Sequence, residues 1–231
     1  MKKITIPFLL LAPLLFIAAS NESYAYTMSD YWSFDEGNVW IYDRDLFVVG
    51  SEEYTSASFT GIQFLQARGI CSNYFSVYTG PEGILGVGIF SLESNSWIDL
   101  SATPVKFANA EMNIGDVVST TIPAGVIGPD AISFEITLQA EETATVPAGT
   151  FNNALRMNIV VDDGLGVYTE RVWLARGIGP VKMYRVSETN GTPGCFMTCG
   201  ALDCEDAVVE RNILLKQFIK GRQGVVVIPL E

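Results

Sequence analysis

The chain is expected to be all-β, a curved antiparallel sheet or half-barrel, and three features of its 231 residues point there. Apolar and polar residues alternate with period two through its middle, as in strands with one buried face. Gly, Pro, Asn and Asp interrupt the alternation at short intervals, as turns do. No stretch of helical period separates these strand candidates, which excludes the parallel α/β folds and their helical crossovers. A sheet of about nine strands must curl, split or close, because a long flat edge invites aggregation.

Taken in order, residues 1–25 read as a signal peptide. Lys2 and Lys3 precede an apolar run from Ile4 to Ala19, and Ser23 with Ala25 offers a cleavage site after Ala25, with Ala18 to Ser20 as an earlier alternative. The run carries Pro7 and Pro13, and no other apolar stretch nears the ~20 residues a membrane helix needs. Export to the periplasm or the extracellular space, with no membrane span after cleavage, is the expectation. Residues 26–186 then form the curved β domain, and residues 187–231 a cysteine-bearing C-terminal extension packed on it.

Strand candidates begin with NVWIYD, FTGIQFLQA, YFSVYTG, ILGVGIFSL and SWIDL, punctuated by Gly80, Pro81 and Gly83. The second half is cleaner. In AISFEITLQA, Ile132, Phe134, Ile136 and Leu138 point one way while Ser133, Glu135, Thr137 and Gln139 point the other. LRMNIVVDD repeats the pattern with Leu155, Met157, Ile159 and Val161, then GVYTERVWLA and PVKMYRV follow, so an antiparallel meander is expected. The near-repeat TTIPAG and TVPAG marks two turns, since Pro presets φ and Gly tolerates the positive φ that follows. Val146 to Phe151 should turn the chain into the Leu155–Val161 strand, paired in turn with Val167–Ala175. One helix candidate lies in DCEDAVVERNILLKQFIKG, with acids at its start, Lys216 and Lys220 near its end and Gly221 as C-cap; its apolar positions form no clean stripe, so strand structure stays open there. GVVVIPL is the last strand candidate.

Composition removes whole classes of chemistry. Without a single histidine, the chain cannot run Ser-His-Asp or Cys-His catalysis, build histidine metal sites or switch on imidazole protonation. Removing the leader leaves 12 basic against 25 acidic side chains, so phosphate backbones are repelled and nucleic acid is not an expected partner. No phosphate-binding loop or dinucleotide fingerprint is present, and GILGVG sits inside a strand pattern with no helix after it.

Carboxylate pairs remain: Asp35 with Glu36, Glu52 with Glu53, Glu141 with Glu142, and Asp162 with Asp163. Opposed acids across a cleft can hydrolyse glycosides. Adjacent strand residues point to opposite faces, however, and these pairs are expected at solvated turns. FDEGN and VDDGLG could offer oxygen ligands to calcium, but neither has the spacing of an EF-hand loop. The sequence therefore names no catalytic residue, metal ligand or cofactor. Trp32, Trp40, Trp97 and Trp173 suit either a core or a pocket for an apolar ligand.

Cys71, Cys195, Cys199 and Cys204 are an even count in an exported chain and are expected to form two disulfides of unknown pairing. CFMTCGALDC fits neither a common zinc knuckle nor a C-x-x-C redox pair.

GNVWIYD, MNIGDVV, ATVPAGTFNNALRM and ERVWLARGIGPVKM occur in an order similar to that of the TapB-like domains, exported bacterial domains without a general assigned activity. These resemble, more distantly, periplasmic lipoprotein carriers built on a curved half-barrel. The likeness spans about residues 30 to 186 and marks Trp40, Pro147, Gly149, Phe151, Trp173, Gly177, Gly179 and Lys182 as structural motif positions, none of them catalytic. It implies an apolar ligand on the concave face.

Three functions are expected in order: an exported non-catalytic binding module that holds an apolar ligand or a partner peptide on the concave face; a structural or assembly component of the cell envelope with a filled core; and a carboxylate-based hydrolase. Partners are then an apolar ligand or an envelope protein.

Overall fold

A computed structural model describes residues 25–32, 35, 38–42, 46–55, 60–68, 71–91, 96–164, 166–188 and 208–221. Fifteen strands follow in chain order: β1 (Tyr26–Thr27), β2 (Val39–Tyr42), β3 (Leu46–Thr55), β4 (Thr60–Arg68), β5 (Cys71–Gly80), β6 (Gly83–Ser91), β7 (Ser96–Asp99), β8 (Val105–Ala108), β9 (Glu111–Met112), β10 (Val117–Ile122), β11 (Ile132–Val146), β12 (Gly149–Asp162), β13 (Val167–Ala175), β14 (Gly179–Glu188) and β15 (Val208–Ile219). Among the described residues a 3-10 turn, Met28–Asp30, follows β1. The all-β expectation holds.

One 13-stranded sheet runs β10-β11-β12-β13-β14-β15-β2-β3-β4-β5-β6-β7, with β8 also hung on β6, while β1 and β9 pair separately. All these pairings are antiparallel, and the expected meander is β11 to β14. Two meanders, β2 to β7 and β10 to β14, are stitched together by β15, which pairs with β14 on one side and β2 on the other. The curl nearly brings the ends together. Across the seam the Lys106 amide donates to Thr120 Oγ1 at 3.1 Å, but β8 and β10 form no ladder, so the sheet stays an open half-barrel.

The period-two pattern becomes buried rows across the strands. Leu138, Met157, Val172, Met183 and Ile213 stand in register on β11 to β15, and all five are buried. Phe134, Val161 and Tyr168 form a parallel row in a second cluster with Leu100, Val105, Ile122 and Ile132. A one-residue slip of any strand would carry its whole set out of the core, which is how alternation fixes register.

Three expectations are corrected. The helix candidate over 203–221 is a strand from Val208 to Ile219, because Ile213 and Leu215 alternate inward against exposed Asn212 and Lys216, and both of its edges find partners. Glu141 and Glu142 lie inside β11, not at a turn, since that strand runs on to the PAG turn. Glu52 and Glu53 likewise lie within β3, where a register break between Val49 and Glu53 absorbs the stretch that looks like a turn. Cys71 opens β5; Cys195, Cys199 and Cys204, and with them both expected disulfides, lie outside the described residues, as do the leader to residue 24 and GVVVIPL.

Candidate functional site

The β11–β12 hairpin is long enough to fold over the sheet. Register breaks between Leu138 and Ala140 and between Glu142 and Ala144 bend it, and Asn153, at φ 60°, is the one described non-glycine residue with positive φ. Bulges of this kind increase local twist. The tip is the second PAG turn: Val146 is buried, Gly149 takes φ 142°, and the Ala148 amide donates to Leu215 O at 3.0 Å on β15. The turn enters the Leu155–Val161 strand, which pairs with Val167–Ala175 as expected. Pro147 is exposed and Phe151 packs partly buried against the core.

The remaining motif residues meet at the β13–β14 turn. Trp40 is fully buried on β2, and its Nε1 donates to Ile178 O at 2.7 Å. Two residues on, the Tyr42 hydroxyl donates to Pro180 O at 2.7 Å. Period two puts both rings on one face of β2, so W-x-Y forms a clasp on a turn 138 residues away. That turn needs its glycines: Gly177 sits at φ 71° and Gly179 at φ 100°, a region costly for residues with a Cβ. A Cβ on Gly179 would also stand 3.4 Å from Trp40 Cζ2. On the neighbouring row, Lys182 Nζ lies 4.4 Å from the Trp173 ring centre, and the Trp173 indole donates to Glu142 Oε1 at 2.5 Å. Arg156 Nη1 holds the other Glu142 oxygen at 3.1 Å.

Into this end of the half-barrel comes a segment that sequence reasoning overlooked, Tyr26–Trp32. Its β1 pairs with β9 through Tyr26 with Met112 and Thr27 with Glu111. The Met28 amide donates to Ala110 O at 2.9 Å, and at the far side Asp30 O accepts from the Gly177 amide at 2.6 Å. Between these anchors Met28 is fully buried and Tyr31 nearly so, in one cluster with Trp40, Ile84, Leu138, Leu155 and Leu174. Trp32 stacks on Phe107, the ring centres 6.1 Å apart. Arg176 closes the strap from outside, with Nη2 2.7 Å and Nε 3.2 Å from Asp30 Oδ2 and its guanidinium 5.9 Å from the Tyr31 ring centre. The strap thus runs from the β9 side to the β13–β14 turn. The available signal was local: YTMSDYW packs aromatic and apolar residues directly behind the expected cleavage site.

Electrostatics at the strap are those of half-sheltered phenols. Burial pushes the Tyr26 hydroxyl above its ordinary pKa, and its hydrogen bond to Glu141 adds to the rise. Burial also pushes up Tyr31, where Arg176 pulls in the opposite direction and Glu141 and Asp30 push further.

Asp162, Asp163 and Glu142 have local partners, and Asp163 is buried, not solvated as expected. Asp162 Oδ1 accepts from the Gly164 amide at 3.0 Å and Asp163 Oδ1 from the Gly166 amide at 2.9 Å, so both acids cap the β12–β13 turn. Glu142 is held between an indole and a guanidinium. Among the described residues, no group of three His, Cys, Asp or Glu side chains could hold a metal ion, and no helix is long and apolar enough to cross a membrane.

A scan against protein-family models finds no match, TapB-like domains included, and no curated protein matches. Two solved structures are similar. One is described as a lipoprotein from Parabacteroides distasonis ATCC 8503, at 14% identity and a TM-score of 0.35, covering 82% of this chain and 98% of that one. The other is described as an exported protein with a YmcC-like fold from Bacteroides fragilis NCTC 9343, at 12% identity and a TM-score of 0.39, covering 82% of this chain and 99% of that one. At these values the likeness bears on neither the site nor the activity.

Proposed function

We propose that the chain is an exported, non-catalytic binding module whose curved sheet holds an apolar group on its concave side. One observation carries this reading: a segment remote in sequence inserts Met28, fully buried, and Tyr31 into the apolar lining at one end of the half-barrel. The lining accepts an extended apolar guest. Two further points support it. The chain lacks histidine, and the acids that could have served hydrolysis at Glu142, Asp162 and Asp163 are engaged in holding an indole or capping a turn.

Export follows from the leader pattern at residues 1–25. The family-motif residues act as supports on this reading: Trp40 with Gly177 and Gly179 fix one turn, Trp173 and Lys182 brace the neighbouring row, and Pro147, Gly149 and Phe151 shape the hairpin tip. A structural or assembly role in the envelope is the second reading, favoured by the close packing around the seated strap. Native mass spectrometry of the protein purified from its own host separates the two. A bound lipid or peptide mass is expected, and a chain that carries only another envelope protein would overturn the binding module in favour of the structural role.

A further inference from the structure

We infer that the end of the half-barrel beneath Tyr26–Trp32 is a peptide-binding site that the chain fills with its own strap, and that a partner segment of similar pattern takes the same seat. The pattern is an apolar residue, an acid two positions later and an aromatic ring next to the acid, as in Met28, Asp30 and Tyr31. This rests on the binding-module reading and names its ligand class.

The reasoning starts from what the strap satisfies. Ala110 O accepts from the Met28 amide at 2.9 Å, and the Gly177 amide donates to Asp30 O at 2.6 Å. An acyl chain could fill the apolar seat of Met28, yet it offers Ala110 O no donor; exposed Gly177 can turn to water, so the cost falls on the half-buried Ala110 carbonyl. An extended peptide supplies a partner to each. The two-residue pairing of β1 with β9 is strand addition in miniature, in which main-chain bonds give affinity and side-chain pockets give selectivity. Here the pockets are explicit: the seat of Met28 excludes water, and Arg176 reads an acid and an aromatic ring at once, 2.7 Å from Asp30 Oδ2 and 5.9 Å from the Tyr31 ring centre.

The strap is also peripheral in the chain: it stands at the N-terminal side of the described residues, and in sequence residues 33 to 38 join it to β2. Joined in cis, it competes at the high effective concentration of a short tether, on the order of millimolar. A partner must overcome that advantage.

The test uses the full chain with a protease site placed between Trp32 and Asn38, cut after folding, and a fluorescently labelled synthetic peptide of residues 25–32. Labelled peptide is expected to replace the cut strap, with Met28→Asp and Asp30→Lys peptides binding about tenfold or more weakly. Failure of the strap to exchange over days, or equal binding of the altered peptides, would overturn the proposal. Palmitate is the control ligand. Displacement of the strap by palmitate but not by the labelled peptide would overturn the peptide assignment while leaving a binding module; displacement by neither would overturn both. Should the inserted site disturb folding, Asp30→Ala in the uncut chain serves instead, because it weakens the tethered strap alone, at a side chain 42% exposed, and leaves Arg176 for the added peptide. It should increase uptake of the wild-type labelled peptide several-fold, and unchanged uptake would count against the site.

Discussion

Replacing Trp40 by Phe tests the clasp that joins the two meanders. Phe keeps an aromatic ring on β2 but cannot donate to Ile178 O, which the indole reaches at 2.7 Å from a fully buried position. An orphaned carbonyl there costs about 1–3 kcal/mol. The smaller ring also loosens packing against Phe218, whose centre lies 5.4 Å away, and against Gly179. Part of this second loss is recovered by relaxation, so the whole change should cost about 2–4 kcal/mol. For a chain of this size each kcal/mol lowers the midpoint by about 2–4 °C, so a fall on the order of 4–16 °C is expected. Thermal unfolding followed by far-ultraviolet circular dichroism, repeated in urea, measures it. Tyr42→Phe removes only the hydroxyl bond to Pro180 O on the same turn, and the double variant should lose less than the sum of the single losses, because once one support is gone the turn relaxes from the other. A Trp40→Phe variant within about 0.5 kcal/mol of the parent would refute the clasp.

Three further outcomes follow from the geometry. Gly179→Ala should destabilise by more than about 1 kcal/mol, since it combines φ 100° with a Cβ 3.4 Å from Trp40, whereas Gly177→Asn, at φ 71° in open space, should cost far less in the same urea titration. Glu142→Ala leaves the Trp173 indole without an acceptor and should cost about 1–3 kcal/mol, while Glu142→Gln keeps an acceptor and loses only a part-exposed ion pair worth about 0–1 kcal/mol; the reverse order would contradict the bridging role of this acid. Tyr26 and Tyr31 should ionise above the ordinary tyrosine range in an ultraviolet titration, because both are raised in the fold. The folded state then holds these protons more tightly than the unfolded one, so their contribution to stability is complete below the unfolded value near ~10 and is lost as pH climbs through the folded values. Arg176→Ala should raise Tyr31 further, since that guanidinium opposes the shift.

What was legible in the sequence follows physical range. Alternation is local, and β11 to β14 emerge from it directly, as does the PAG turn, whose Pro and Gly set φ on the spot. β3 was obscured because Glu52 and Glu53 read as turn acids, although the strand runs through them with a register break. β15 looked helical from its charges, yet its fate is set by pairing on both edges, with the preceding strand β14 and with β2 from near the start of the described residues. The motif residues were found without their reason: that Trp40 and Tyr42 grip a turn 138 positions later is a tertiary fact which neither spacing nor composition carries. The strap left only a composition signal, the apolar and aromatic residues of YTMSDYW, while its anchors at Ala110 and Gly177 lie far along the chain.

The central claim is that Tyr26–Trp32 occupies a separable site rather than forming an integral part of the core. Amide hydrogen exchange addresses it directly, through the Met28 amide bound to Ala110 O and the Gly177 amide bound to Asp30 O, set against Met157 and Val172 in the buried centre of the meander. The strap should open on its own, exchanging about 100-fold or more faster than those central amides while they remain protected. Equal protection at all four amides would mean that the strap leaves only when the whole sheet unfolds, and the end of the half-barrel would then not be a binding site.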